Sequence, residues 1–306
     1  MADDSEILRQ ESLTRLNSLL ESIDGSKVTL IGDTMLDRYH HGFANNLNST
    51  APVPVLKILD SDESPGASAH IAIGLTSFGM DVSFHTAIGD DIESKSIIST
   101  LKSMGVRSEN IIQVKDRSTL TKIRFFGSRE SLLDRSQILL QADRGPQEPL
   151  ENSVSDSLIE SARSNIPDSC ALVISDYDKG VVSNDGAQTL IATANEKAIP
   201  VIVDPKLTGL EKSRGATVVI FEKRGMSLLS RRIGLNDDDA AKRLLEEYSW
   251  DGILVLGGIH GIHLHQKDHD SIFMPCMAPT ADQQIGMHDA AATSLEPIIL
   301  DVSFAY

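Results

Sequence analysis

Residues 171–206 read ALVISDYDKGVVSNDGAQTLIATANEKAIPVIVDPK. Two short runs in this stretch, 171–175 and 200–203, are apolar and rich in β-branched residues, which is typical of buried strands. The segment between them, 187–197, carries apolar side chains at helical spacing. A strand, a helix and a second strand in this order predict a βαβ unit whose two strands are parallel.

The same alternation extends in both directions from this unit. Helices are predicted at 5–23, 92–104, 153–163 and 237–248, and strands at 27–32, 82–87, 217–221 and 252–256. Helices that alternate with short β-rich runs predict an α/β fold with a doubly wound, mostly parallel sheet flanked by helices. We expect an N-terminal helix in residues 1–24, followed by a single domain over residues 25–306.

Two regions interrupt the regular pattern. Residues 52–58 look like a strand that contains prolines, which belongs at a sheet edge. Residues 119–126 alternate as a half-exposed strand, and 137–141 is a candidate to pair with it. These features predict a small β-lid, inserted near 38–60 and 117–143. Small residues at 64–72 predict the start of a helix after the first insertion.

The composition excludes several classes of protein. The 306 residues include 28 Lys plus Arg and 44 Asp plus Glu, for a net charge of −16. Such an acidic chain lacks the general basic footprint of nucleic-acid binding and is not attracted to anionic membranes. Two cysteines argue against a disulfide framework. The acidic N-terminus has no apolar signal core, and no run is long enough to span a membrane, so we expect a cytoplasmic protein.

Standard catalytic and nucleotide-binding motifs are missing from the sequence. It contains no Gly-x4-Gly-Lys-Ser/Thr, Gly-x-Gly-x-x-Gly, His-Glu-x-x-His or Gly-x-Ser-x-Gly. Four closely spaced histidines, His260, His263, His265 and His269, lack a carboxylate or cysteine partner pattern. We interpret them as surface or packing residues and not as metal ligands.

Carboxylates and glycines instead collect at the ends of predicted strands, and such loops converge in a doubly wound fold. They are Asp33, Asp37, Gly66, Asp176, Asp178, Asp204 and the segment Gly286-Met287-His288-Asp289. Small helix-forming residues follow Asp289, which predicts a helix N-terminus whose unpaired N–H groups can hold an anion. There, Asp289 is a candidate to take a proton from an attacking hydroxyl. The alternative is an ordinary helix start capped by Asp289.

Several motifs occur in an order and spacing that resemble the PfkB (ribokinase-like) carbohydrate kinases, above all their D-glycero-D-manno-heptose-7-phosphate kinase branch. They are residues 32–39, 51–55, 119–124, 175–180, 204–206 and 214–217. The resemblance covers roughly residues 25–295. It implies a ribokinase-like fold, and transfer of the γ-phosphate of ATP, with Mg²⁺, to a hydroxyl of a sugar or sugar phosphate, such as a phosphorylated heptose or hexose. Apart from the resemblance, the exposed edge of the β-lid predicts a homodimer formed through the lid.

The resemblance also implies roles for individual residues. Asp289 would be the general base, and the backbone of Gly286, Met287 and His288 would form the anion hole. The substrate-binding residues would be Asp33, Asp37, Gly66, His70, Asp178 and Lys179. The nucleotide and phosphate side would contain Asp204, Lys206, Glu222 and Gly258. No metal ligand is assigned.

The sequence departs from the family pattern mainly on the nucleotide side. Met287 and His288 replace the Ala-Gly of the family's Gly-Ala-Gly-Asp, and a Cβ at position 288 restricts the backbone there. His70 replaces an asparagine of the substrate loop. Glu222 lies where the family has Thr-Pro-Asn-x-x-Glu, and the chain ends soon after Asp289. The alternatives to an active kinase are therefore a pseudokinase that still binds sugar, and a scaffold protein that dimerises through the lid.

Overall fold

One nine-stranded sheet forms the centre of the fold. The computed structural model describes residues 4–129, 136–276 and 293. In chain order the described strands are β1 (Lys27–Gly32), β2 (Thr34–Leu47), β3 (Pro54–Ala67), β4 (Asp81–Gly89), β5 (Ile111–Val114), β6 (Leu120–Ser128), β7 (Gln137–Arg144), β8 (Ala171–Ser175), β9 (Val201–Asp204), β10 (Val218–Glu222), β11 (Gly252–Leu256), β12 (Ile262–Gln266) and β13 (Ile272–Met274). The large sheet has the order β13-β12-β11-β10-β9-β8-β1-β4-β5. Its strands from β11 to β5 are parallel, whereas β12 and β13 are antiparallel.

Helices cover both faces of this sheet, as the sequence predicts. They are α1 (Asp4–Ile23), α2 (Ser68–Ser77), α3 (Ile92–Ser103), α4 (Asn152–Asn165), α5 (Asn184–Glu196), α6 (Lys223–Ile233) and α7 (Asp237–Tyr248). Several begin at residues suited to capping. Asp91 and Ser94 form a reciprocal capping box at α3, Ser183 caps α5 and Asn236 caps α7.

Two hydrophobic cores lie on opposite faces of the sheet because strand side chains alternate. In β8, Leu172 and Ile174 enter the core beneath α4, α5, α6 and α7, and Val173 enters the core beneath α2 and α3. The sheet is therefore covered on both faces, which explains the continuous apolar runs that mark its strands in the sequence. None of the helices that the structure describes is long and apolar enough to cross a membrane.

A second, four-stranded sheet begins directly after the carboxyl end of β1, and we call it the lid. Its order is β3-β2-β6-β7, with β2 and β6 parallel and the outer pairs antiparallel. The predicted pairing of the segments near 119–126 and 137–141 is confirmed. The proline-containing strand lies at a sheet edge, where a missing N–H is tolerated.

The predicted start of the helix after this strand is wrong. Residues 64–67 do not open a helix but complete β3, which pairs with β2 as far as the match of Thr34 with Ala67. Helix α2 begins at Ser68. Pairing with β2 satisfies the backbone of these small residues, and this long-range interaction outweighs their local preference.

The lid is joined to the large sheet by a charged network at the start of α3. Glu93 is buried and pairs with Arg144 of β7 at 2.9 Å and with Arg38 of β2 at 3.5 Å. Asp91 accepts hydrogen bonds from the N–H and hydroxyl of Thr119, which precedes β6. Three of the four lid strands are thereby anchored at one helix N-terminus.

A buried histidine in β4 makes the stability of the fold dependent on pH. His85 is fully buried, its Nε2 lies 3.0 Å from the Ser83 hydroxyl, and no described residue offers its Nδ1 a hydrogen bond. Burial lowers the pKa of His85 to about 4, from 6.5. The folded state therefore stays neutral at pH values where the unfolded chain binds a proton, so stability falls as the pH drops below 6.5.

We expect this histidine to cost about 2 to 3 kcal/mol of stability between pH 7.5 and pH 4.5, on the two pKa values above. Urea unfolding at both pH values measures the effect in the wild type and in His85→Leu. The fall in the free energy of unfolding between the two pH values should be smaller in the variant by about this amount. His260→Asn, which alters an exposed histidine, is the control and should behave like the wild type. Parallel pH profiles for the wild type and His85→Leu would contradict the assignment.

Candidate active site

A cleft of about 580 Å³ opens between the lid and the carboxyl ends of β9 and β10. Open α/β sheets bind ligands outside the carboxyl ends of their strands, so the position alone makes this cleft a candidate site. The polar and charged residues that line it are Asp37, Lys122, Arg124, Tyr177, Asp204, Lys206, Glu222 and Arg224. Met35, Ala67, Leu207, Ile220, Phe221 and Leu228 are among its apolar lining residues.

A buried ion pair crosses the lid side of the cleft. Arg124 Nη1 of β6 lies 2.5 Å from Asp37 Oδ1 of β2, and both side chains are about nine-tenths buried. The parallel register places Asp37 beside Lys122 and Tyr39 beside Arg124, whose guanidinium lies 5.5 Å from the Tyr39 ring. Gly66 of β3 faces Asp37 so closely that a Cβ there would overlap the carboxylate. The lid thus fixes one carboxylate and one guanidinium at the mouth of the cleft.

Two lysines add positive charge to the same cleft. Lys122 Nζ of the lid and Lys206 Nζ of the loop after β9 lie 5.4 and 4.2 Å from the centre of the Tyr177 ring. Burial lowers the pKa of Lys122, and Arg124 and Lys206 lower it further, against the opposing effect of Asp37. Together with Arg124 and Arg224 they make four cations, which line the cleft beside three carboxylates. Cations brought together in this way favour an anionic ligand.

Asp33 organises the loop that carries Tyr177. Its carboxylate is buried at the end of β1 and accepts the backbone N–H groups of Tyr177, Lys179 and Val181 at 2.9, 3.0 and 3.3 Å. Burial raises the pKa of Asp33, Asp176 raises it further, and the three N–H donors oppose this. Asp33, predicted from the sequence to bind substrate, is therefore committed to backbone groups and acts on the shape of the loop.

A second buried pair fixes the same loop from the opposite side. Lys212 Nζ lies 2.9 Å from Asp176 Oδ2 and 3.4 Å from Asp178 Oδ1. Burial alone would lower the pKa of Lys212, but Asp176 and Asp178 together raise it above its ordinary value. Asp178 also has a left-handed backbone, with φ of 58°. The Asp178 side chain is exposed, so it supports the loop from its outer surface.

The structure brings together only some of the residues that the sequence singled out. Asp37, Asp204, Lys206 and Glu222 line the cleft, and Gly66 packs against Asp37. The other candidates, Asp33, His70, Asp178, Lys179 and Gly258, are not among the described residues that line it. His70 is exposed on α2, and Gly258 begins a 3-10 turn after β11.

The predicted base and anion hole, Asp289 with Gly286, Met287 and His288, lie outside the described residues. Thr293 is described, and it is buried against α2 at Gly74, where a Cβ would be 2.7 Å from Thr293 Cγ2. The N-terminal end of α2 adjoins the cleft at Ala67, which lines it. Ala67 holds a strained backbone, with φ of 55° and ψ of −133°. The chain therefore turns sharply where the lid meets the site.

A profile of the pfkB family of carbohydrate kinases matches residues 26–268. The chain belongs to this family. The assignment agrees with the ribokinase-like order of the motifs, and proteins of the family are ATP-dependent sugar kinases, a class of transferases. The predicted ribokinase-like α/β fold and the predicted enzyme class are both confirmed.

Curated relatives support this assignment, and solved structures support the fold. The chain is 31% identical over 283 residues to the bifunctional protein HldE of Pseudomonas syringae, and 29% identical over 278 residues to that of Shewanella piezotolerans. Each match covers 90% of this chain but 56% of the relative, so the chain spans about half the length of these proteins. Arabidopsis thaliana ribokinase, solved with ribose and ATP, is 14% identical and superimposes with a TM-score of 0.68, covering 90% of this chain and 86% of that one.

Escherichia coli phosphofructokinase-2, in a tetrameric inhibited form, superimposes equally well. Its TM-score is 0.68 at 15% identity, with 91% of this chain and 88% of that chain covered. These distant structural matches establish the fold and no more than the fold.

Family kinases generally use Mg²⁺ together with ATP. Within residues 4–129 and 136–276, no group of three or more His, Cys, Asp or Glu is placed to hold a metal ion. Mg²⁺ is ordinarily held by one or two carboxylates together with substrate phosphates, so a preformed protein cage is not required. Asp204 and Glu222, which line the cleft, are donors of the required type and fit that arrangement. When bound, the ion would neutralise charge on the ATP phosphates.

Lys122, Arg124 and Tyr177 line the cleft but were not predicted as site residues, although they lie within motifs that were recognised in the sequence. A signal was available for the first two. Lys122 and Arg124 are two positions apart in a predicted strand, so they had to share one face of it. That this face would turn toward the carboxyl edge of the large sheet depends on the folding of the lid, which the local pattern does not encode.

Proposed function

We propose that the protein phosphorylates a hydroxyl of a sugar that already carries a phosphate, such as a heptose or hexose phosphate, using Mg-ATP. The observation that carries this proposal is the convergence of Lys122, Arg124 and Lys206 in one cleft of a PfkB kinase fold. A neutral sugar has no need of three cations, whereas a phosphate carries close to two negative charges at neutral pH. Because the bulk of the chain is strongly acidic, this local positive charge is a feature of the site itself.

The cleft also contains groups suited to the rest of an acceptor sugar. Asp37 is an acceptor for sugar hydroxyls, held in place by Arg124 and enclosed by Gly66. Asp204 and Glu222 lie toward β9 and β10, on the side that we assign to Mg-ATP. The resemblance to HldE, which extends over 90% of the chain, makes a heptose 7-phosphate the first acceptor to test.

We assign the general base of the reaction to Asp289, and the anion hole to the backbone of residues 286–288. Asp289 takes the proton from the acceptor hydroxyl as its oxygen attacks the γ-phosphate, and ADP leaves. The burial of Thr293 against Gly74 supports this assignment, because Thr293 follows Asp289 by four positions in the sequence and packs on the helix that begins beside the cleft. We further propose that residues 25–306 act as one kinase domain.

The acceptor preference and its dependence on the two lysines test the proposed function. We expect kcat/KM for a phosphorylated heptose or hexose to exceed that for the unphosphorylated sugar by at least about 100-fold, the scale of a site built around a charged group. Lys122→Met and Lys206→Met should each reduce this preference about tenfold or more, by raising KM for the phosphorylated sugar. An assay that couples ADP release to NADH oxidation measures kcat and KM for each acceptor.

Lys95→Met is the matched control for the lysine variants. Lys95 is an exposed residue of α3, so its replacement should leave kcat/KM unchanged for both the phosphorylated and the unphosphorylated sugar. Equal turnover of the phosphorylated and unphosphorylated sugars by the wild type would contradict the assignment of the cation cluster to the acceptor.

We also propose that the lid forms a homodimer. Apolar side chains stand exposed on its strands, among them Leu47, Val55, Ile138 and Leu140, at 45 to 69% of their full exposure. A second copy of the chain would cover this surface, since exposed apolar groups of this size mark interaction sites when they cluster. Sedimentation velocity should give a dimer at micromolar concentration, and Leu140→Asp a monomer. A wild-type protein that sediments as a monomer at that concentration would contradict the proposed homodimer.

A further inference from the structure

The ring of Tyr177 lies close to two cations that come from different parts of the molecule. Lys122 belongs to strand β6 of the lid, and Lys206 follows strand β9 of the large sheet. Their ammonium groups lie 5.4 and 4.2 Å from the centre of the Tyr177 ring. Both distances are within the range at which the negative face of an aromatic ring attracts a cation.

The backbone of Tyr177 is held firmly enough to act as a fixed support. Its N–H donates to the buried carboxylate of Asp33 at 2.9 Å, and the neighbouring Asp176 is paired with Lys212. The loop is thus fixed on either side of the ring by groups that are themselves buried. The two lysine side chains, in contrast, are long and flexible, and each loses considerable rotamer freedom when it is held in one place.

Bringing the two lysines together is unfavourable without a compensating group. Like charges repel, and both Arg124 and Lys206 oppose the charged form of Lys122, which is already disfavoured by burial. Asp37 offsets part of this, but its nearest cation is Arg124 at 2.5 Å. An aromatic ring in contact with both ammonium groups supplies attraction without adding a negative charge that would compete with an anionic ligand.

We propose that Tyr177 is a positioning residue for Lys122 of the lid and Lys206 of the loop after β9. It holds the two lysines close together, so that both bind the phosphate of the acceptor. This inference rests on the proposed function for the identity of the ligand, and it deepens that function by naming the group that prepares the site. Because one lysine belongs to the lid and the other to the large-sheet part of the protein, phosphate binding also depends on the position of the lid.

Lysine NMR tests the proposal without measuring catalysis. The full chain is reductively methylated with ¹³C, which keeps the lysine charge, and inorganic phosphate is titrated while the Lys122 and Lys206 methyl signals are followed. In the wild type both signals should be displaced by the ring current of Tyr177 and should move together with phosphate. Tyr177→Phe keeps the aromatic face and should retain the displacement, with an affinity for phosphate within about twofold of the wild type.

Tyr177→Leu should remove the ring-current displacement and weaken phosphate binding about five- to tenfold, the loss expected from two cation–aromatic contacts. Tyr248→Leu is the matched control, because Tyr248 lies beneath Arg214 at 5.1 Å and is not a lining residue of the cleft. It should leave phosphate binding unchanged. A far-UV circular dichroism spectrum that matches the wild type shows that a variant is folded.

Equal phosphate affinity in the wild type and Tyr177→Leu would overturn the proposal, as would a Tyr177→Phe variant that binds as weakly as Tyr177→Leu. A wild type that does not bind phosphate would also overturn it. A different result is expected if the proposed function is wrong but the role of Tyr177 is right. Phosphate would still bind in a manner that depends on Tyr177, but no phosphorylated sugar would accept phosphate from ATP.

Discussion

Asp289→Asn is expected to lower kcat about 1000-fold, within the range that a positioned general base contributes, and to leave KM for acceptor and ATP nearly unchanged. The substitution keeps the size of the side chain but removes its ability to take a proton from the acceptor hydroxyl. Steady-state kinetics with Mg-ATP and a heptose 7-phosphate measure the effect.

Asp168→Asn is the matched control for this variant. Asp168 precedes β8, at the amino ends of the strands and away from the cleft at their carboxyl ends. Its exposed carboxylate pairs with Lys27 at 3.6 Å. An exposed pair of this kind contributes little, so the control should retain wild-type activity. If Asp289→Asn retains as much activity as Asp168→Asn, Asp289 has no part in the proton transfer.

Arg124→Met should destabilise the fold by about 3 kcal/mol, the lower end of the cost of removing one member of a buried ion pair. Arg124 and Asp37 are joined at 2.5 Å with both side chains largely buried, so the variant leaves a carboxylate enclosed without its cation. The same variant should raise KM for a phosphorylated sugar, because one of the four cations that line the cleft is lost. Urea unfolding and steady-state kinetics measure the two effects separately.

A double variant separates the pair from the individual residues. Asp37→Asn combined with Arg124→Met removes both charges, and it should be more stable than Arg124→Met alone. Arg163→Met breaks the exposed pair between Arg163 and Glu160 on α4 and serves as the control, with no measurable change expected. If the double variant is no more stable than Arg124→Met, the cost does not come from an uncompensated carboxylate.

The fold was largely predictable because its central strands are defined by local composition. The apolar run at Ala171–Ser175 belongs to a strand covered on both faces, and such strands leave a clear signal in the sequence. The start of α2 was less predictable. Residues 64–67 have the small side chains of a helix start but pair with β2, and no local rule reveals a partner 30 residues earlier.

The site was predictable where it depends on strand ends and obscure where it depends on the lid. Asp204 and Glu222 end strands β9 and β10, and both line the cleft. Asp37 also lines the cleft, but it does so from within lid strand β2 and not from a strand end of the large sheet. Asp33 occupies the same kind of position, yet its oxygens accept backbone N–H groups. Position along a strand does not show whether a carboxylate faces a ligand or its own chain. The cations of β6 reach the cleft through the packing of two sheets.

The most direct test of the central claim follows the phosphate itself. The protein is mixed with Mg-ATP and D-glycero-D-manno-heptose 7-phosphate, and ³¹P NMR is recorded over time. We predict the signals of ADP together with a second phosphate ester on the heptose, and no such product from the unphosphorylated heptose at the same concentration. ATP that remains intact with every heptose and hexose phosphate tried, while the protein still binds those sugars, would contradict the claim and identify a pseudokinase.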